Sequence, residues 1–191
     1  MSNHVNFLKK ALLYEYLTIA WNIFEGIVSV ILGILSGSIA LIAYGLESGV
    51  EVFSSSVVVW DLKGGDKTRE KKALKLIGIA YLGVSAYVFI STTQSLLAGH
   101  QPQASMLGII FMFVTALVML ALGLLKRNIG IKMKSLSVLA DSKFTLVDAA
   151  LSTSVLLGLL FNALFGWWWM DQALAFLIAG AAFREGISEL L

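Results

Sequence analysis

The chain has 191 residues, 58% hydrophobic and 14% charged, with a net formal charge of +2 and a mean hydropathy of +0.86; a soluble domain of this size cannot bury so much apolar surface. It contains one proline and no cysteine, which excludes disulfides, thiolate metal sites and thiol redox chemistry. Its two histidines are His4 in the tail and His100 in a connection, so a buried imidazole site is excluded too, and a metal held inside is expected to be held by oxygen.

Six apolar segments follow, roughly 11–35, 38–61, 73–98, 104–125, 135–165 and 167–190, each near or above the ~20 residues that a spanning helix needs. They are joined by Ser36-Gly37, by Lys63 to Lys72, by Gly99 to Pro102, by Lys126 to Lys134, and by Gly166 with the tryptophans after it. Lys9, Lys10, Lys63, Lys67, Arg69, Lys71, Lys72, Lys75, Lys126, Arg127, Lys132 and Lys134 all fall in the tail, the second and fourth connections or their edges, and the other connections have no basic residue. The positive-inside rule then puts both termini in the cytoplasm, which only an even number of spans allows. The first run is too long for a cleavable signal, carries Glu25 and lacks a cleavage pattern. The expected fold is an all-α membrane protein of six transmembrane helices, one domain over residues 1–191 without a C-terminal cytoplasmic domain, in the cell (inner) membrane.

The first segment carries Thr18, Asn22, Glu25 and Ser29 at spacings of four, three and four. That is one helical face, expected to turn inward, with Glu25 near mid-membrane. Thr18 and Ser29 also fit a hydrogen-bonded packing seam between helices. In the second segment Glu47 and Glu51 lie four apart and project from one face, where an isolated charge costs several kcal/mol and marks an ion path or proton relay. Ser54, Ser55 and Ser56 extend that face toward the cytoplasm. The basic stretch from Lys63 to Lys72 reads as a mobile loop that sets topology and touches lipid headgroups, with no nucleic-acid role. The third segment offers Gly78, Ala80, Gly83, Ser85 and Ala86 for close helix packing, and Ser91 to Gln94 for an external vestibule. The fourth, 104–125, contains no charge, and its Met106, Met112 and Met119 read as packing.

In the fifth segment Asp141, Thr145, Asp148 and Ser152 repeat the spacing of four, three and four. Lys143 lies off that face, and either snorkels to the interface or pairs with an acid of a neighbouring helix. Asp171, beside Trp167, Trp168 and Trp169, reads as an interfacial anchor or helix cap, and Arg184, Glu185 and Glu189 as interface charges. A shift of 97 positions lays Ser38 on Ser135, Ala43 on Ala140, Val50 on Val147, Glu51 on Asp148 and Ser55 on Ser152. Three spans separate the copies, so the halves are expected to be inverted, an arrangement that places substrate near the midplane of many secondary transporters.

On Gly37 to Ala43, the Glu47-x-x-x-Glu51 pair, Ala140-Asp141 followed by Asp148, and Gly166-Trp167-Trp168-Trp169-Met170-Asp171, the sequence resembles the cation diffusion facilitator, or cation efflux, family. The resemblance implies six helices with cytoplasmic termini, a homodimer, and export of a divalent cation (Zn, Mn, Fe or Co) in exchange for protons. It also implies a transport site of two acids in the second span and a His-x-x-x-Asp pair in the fifth. Here the histidine position holds Phe144, and the first-span shape Ala20-Trp21-Asn22-x-x-Glu25 looks like that of a short, membrane-only branch in which Asn22 and Glu25 supply what the histidine would. The expected metal ligands are therefore Glu47, Glu51 and Asp148, with Asp141, Glu25 and Asn22 as further oxygen donors. Such a cage suits Mg, Mn and Ca while also accepting Zn, Co and Fe. Several carboxylates in a low dielectric cannot all stay ionised once the cation leaves, so protons are expected to replace it. The other reading is a non-transporting membrane subunit or cation sensor. An enzyme is not expected, for want of a nucleophile and base pair.

Overall fold

The computed structural model describes the backbone of residues 2–64, 67–99, 101–103, 105–188 and 190, and the side chains from residue 6 onward except 67–74, 76, 77 and 80. Gly65, Asp66, His100, Ala104 and Glu189 lie outside the described residues. Six helices run in order among the described residues: α1 Ser2–Ser36, α2 Ile39–Gly64, α3 Lys67–Leu97, α4 Met106–Met133, α5 Leu136–Phe165 and α6 Trp169–Ser188. Among the described residues there is no strand. Four helices among the described residues, Asn6–Ser36 of α1, α2, α4 and α5, are long and apolar enough to cross a membrane. The protein is thus an integral, all-helical membrane protein.

Polarity is inverted relative to a soluble fold. Ile23, Ile27 and Ile31 of α1, Phe89 and Ile90 of α3, and Leu117, Leu120 and Leu124 of α4 are exposed, as a lipid-facing surface requires, while the polar stripes turn inward. Thr18, Asn22, Glu25 and Ser29 are all buried, as are Asp141, Thr145, Asp148 and Ser152. Once α-helices cross a bilayer, their side-chain polar groups have only each other to meet.

Helix ends depart from the expectation. Residues 67–72, expected as a mobile loop, belong to α3, and residues 126–133, expected as a connection, belong to α4, which ends only at the left-handed Lys134. Basic residues stop a bilayer span without stopping a helix, because Lys and Arg are good helix formers in water. Met112 and Met119 are wholly buried packing groups, whereas Met106 is exposed.

Helices α1 and α2 form one close pair, α4 and α5 another, and α3 with α6 a third. Their junctions correspond at the offset of 97: Gly37 and Lys134 are both left-handed (φ 70° and 54°), and Ser38 and Ser135 each cap the next helix by accepting from the backbone N–H three residues on. Gly26 and Gly33 of α1 lie against α2, and Gly123 and Gly130 of α4 against α5, at the same offset. Asp171 is a cap, but of a distant helix. From α6 its carboxylate accepts from Ser38 Oγ and from the N–H groups of Ile39 (2.9 Å) and Ala40 (3.3 Å), placing negative charge at the positive end of α2.

Candidate metal centre

Helices α2 and α5 each bring their acids to the middle of the bundle. Glu51 lies 13 residues from the basic end of α2 and 12 from the other, about 20 Å and 18 Å at the helical rise. Asp148 is similarly central in α5. The carboxylates of Glu47, Glu51 and Asp148 approach until one oxygen from each lies within 4.8 Å of the others. Two ligands on opposite sides of one ion are separated by about 4.2 Å for Mg or Zn and about 4.8 Å for Ca, so the three are within reach of a common cation.

The three side chains are fully or almost fully buried. Glu47 Oε1 accepts from the Tyr81 hydroxyl of α3 at 3.4 Å, and Glu51 Oε1 from Thr145 Oγ1 at 2.6 Å. Glu47 Oε2, Glu51 Oε2 and both Asp148 oxygens have no hydrogen-bond partner. Buried carboxylate oxygens short of hydrogen-bond donors, on three side chains that converge, are costly unless something positive completes them.

The other expected ligands each have neighbours of their own. Glu25 accepts from Ser48 Oγ at 3.0 Å and from the Tyr44 hydroxyl at 3.3 Å, while Asn22 donates to the Thr18 carbonyl and leaves its own oxygen unpartnered. Asp141 is drawn toward the basic end, where its carboxylate accepts from Ser54 Oγ (2.7 Å) and Ser55 Oγ (3.3 Å) and pairs with Lys126 of α4. Ser56 turns outward and bonds its own helix. Phe144, in the position of the family histidine, is buried with its ring centroid 5.8 Å from that of Tyr81. Lys143 is exposed.

Sequence reasoning missed four participants: Glu15, Tyr44, Tyr81 and Lys126. Glu15 carried a readable signal, since it stands three residues before Thr18 and continues the stripe of α1. Lys126 did not, because a lysine at the edge of an apolar run reads as an interface charge. It is in fact wholly buried, its Nζ 3.0 Å from Glu15 Oε2.

A family model, the cation efflux transmembrane domain, matches residues 75–191. The chain belongs to the cation efflux family. The matched part of this cation efflux chain contains Asp141 and Asp148, whereas Glu47 and Glu51 precede it. Among curated proteins, the chain is similar to the magnetosome protein MamB of Magnetospira sp. (strain QH-2), 24% identical over 140 residues, which cover 68% of this chain and 48% of MamB. The chain thus spans about half the length of the curated relative it matches.

Proposed function

We propose that this protein carries a divalent metal cation across a cell membrane by alternating access, with Glu47, Glu51 and Asp148 as the transport site. The observation that carries the reading is the convergence of three buried carboxylates from α2 and α5, each with at least one oxygen that has no hydrogen-bond donor. Family membership supports the substrate class. Zn, Mn, Fe and Co are the candidate ions, and three carboxylates without an imidazole favour those that accept an all-oxygen shell, Mn above all.

Exchange with protons follows from the same cluster. Three anions this close in low dielectric are held together by a cation, and when it departs protons must take its place. The cycle is efflux of metal against entry of protons, with the two halves related by the 97-residue offset rocking about the site. The protein works as a homodimer in the inner membrane with its basic ends in the cytoplasm. It is not assigned a catalytic role.

The test is metal uptake into proteoliposomes under an imposed pH gradient. The expected result is flux that follows the gradient and falls at least tenfold in Glu51→Gln. Metal binding without any flux would instead favour a sensor, and flux indifferent to both the gradient and the substitution would contradict the proposal.

A further inference from the structure

Lys126 is the one basic side chain buried among the described residues. An ammonium out of water is retained only where several oxygens replace its hydration. Two helices supply them, and a third steadies the set: Glu15 Oε2 from α1 at 3.0 Å, Thr145 Oγ1 from α5 at 3.0 Å, and the carboxylate of Asp141, also from α5, which accepts from Ser54 and Ser55 of α2. Glu15 Oε1, wholly buried, has no partner. Two carboxylates and one hydroxyl around a positive charge are oxygen donors of the kind that hold a hard divalent cation, here met by the protein's own ammonium.

Its position is as telling as its composition. Lys126 stands seven residues from the end of α4, about 10 Å in from the basic end at the helical rise, roughly half the depth of Glu51. The Thr145 hydroxyl that accepts a hydrogen bond from it donates in turn to Glu51 Oε1 at 2.6 Å, so the ammonium adjoins the carboxylate triad through a single side chain. Toward the basic end an apolar layer of Ala11, Val58, Ile129 and Val138 closes beneath it. On the opposite side of the triad the bundle is sealed by the larger apolar core that includes Leu41, Tyr44, Met112, Val155 and Ile178. A cation travelling between the basic end and the triad therefore meets Lys126, and two like charges cannot share one oxygen cage.

We propose that Lys126 is the plug of this route: its ammonium fills a second, oxygen-lined cation position formed by Glu15, Asp141 and Thr145, and it must swing aside for a divalent cation to reach or leave the triad from the basic side. The inference rests on the transport reading only for what passes; the plug is tested without metal or gradient.

The protein has no cysteine, so a single introduced thiol reports access directly. Ser48→Cys places one at a buried α2 position, a turn beyond Glu51 from the plug. Lys132→Cys, exposed near the end of α4, identifies the basic side in oriented vesicles. A membrane-impermeant thiosulfonate added from that side is expected to modify Ser48→Cys slowly with Lys126 present, roughly tenfold or more faster in Lys126→Gln, and slowly again in Lys126→Arg, which keeps the charge. If Lys126→Gln does not fold, Glu15→Gln, which removes one arm of the cage, is expected to give a smaller acceleration from the same side. Rates unchanged by both substitutions, or raised equally from the two sides of the membrane, would overturn the proposal. Vesicle flux can fail while this labelling pattern holds, and the converse, so the plug and the transport reading fall separately.

Discussion

Phe144 sits one turn before Asp148 on α5, buried beside Tyr81, which itself bonds Glu47. An aromatic ring there contributes no ligand, so the proposed site offers a cation carboxylate oxygens and no imidazole. Replacing it by histidine would add a nitrogen donor on the face that already holds Asp148. Imidazole favours Zn over Mn relative to oxygen. In Phe144→His the ratio of Zn to Mn affinity, measured by competition in detergent, is expected to rise about tenfold or more. An unchanged ratio would mean that the ring does not border the ion. Glu47, Glu51 and Asp148 stood out in the chain because they are carboxylates at helical spacings inside apolar runs. Lys126 was not, because its partner Glu15 lies 111 positions earlier in the sequence and only tertiary packing reveals that the two share a cage.

At the scale of elements, the periodic stripes were legible and the helix ends were not. Spacings of three and four specify a face wherever the helix begins, so the inward faces of α1 and α5 followed from Thr18 to Ser29 and from Asp141 to Ser152. The ends depended on charge, and charge marks where lipid stops rather than where hydrogen bonding stops, which is why α4 runs on to Met133. Close packing of α1 on α2 is set by glycine. A Cβ on Gly45 would lie 2.8 Å from the Gly26 carbonyl oxygen and 2.7 Å from Val30, whereas one on Gly49 would meet nothing within 4 Å. Gly45→Ala is therefore expected to push the helices apart at a cost of roughly 1–3 kcal/mol. Gly49→Ala should be neutral or slightly stabilising, by up to about 1 kcal/mol, from helix propensity alone. Thermal unfolding in detergent checks the pair: equal melting temperatures for the two variants would contradict this account of the α1–α2 contact.

Across the whole molecule, corresponding junctions, caps and contact glycines recur at the offset of 97, and the acids Glu51 and Asp148 stand at corresponding places in the two halves. The halves are not chemically equivalent. Glu47 corresponds to Phe144, Tyr44 to Asp141, and Ser29 to Lys126, so the first half supplies two of the three clustered acids and the second supplies the buried ammonium. This partial correspondence, with its asymmetric charge pattern, suits the carrier proposed above, which must present one site to two different solutions. Lipid-facing leucines, isoleucines and phenylalanines surround the bundle, and an acidic centre bordered by the buried Lys126 ammonium fills it. The most direct test is anomalous scattering from crystals of the protein soaked in Mn. The account predicts one strong peak between α2 and α5, about 2.0–2.3 Å from oxygens of Glu47, Glu51 and Asp148, lost in Asp148→Asn. Well-ordered crystals with no peak there, or with Mn bound only at surface acids, would contradict it.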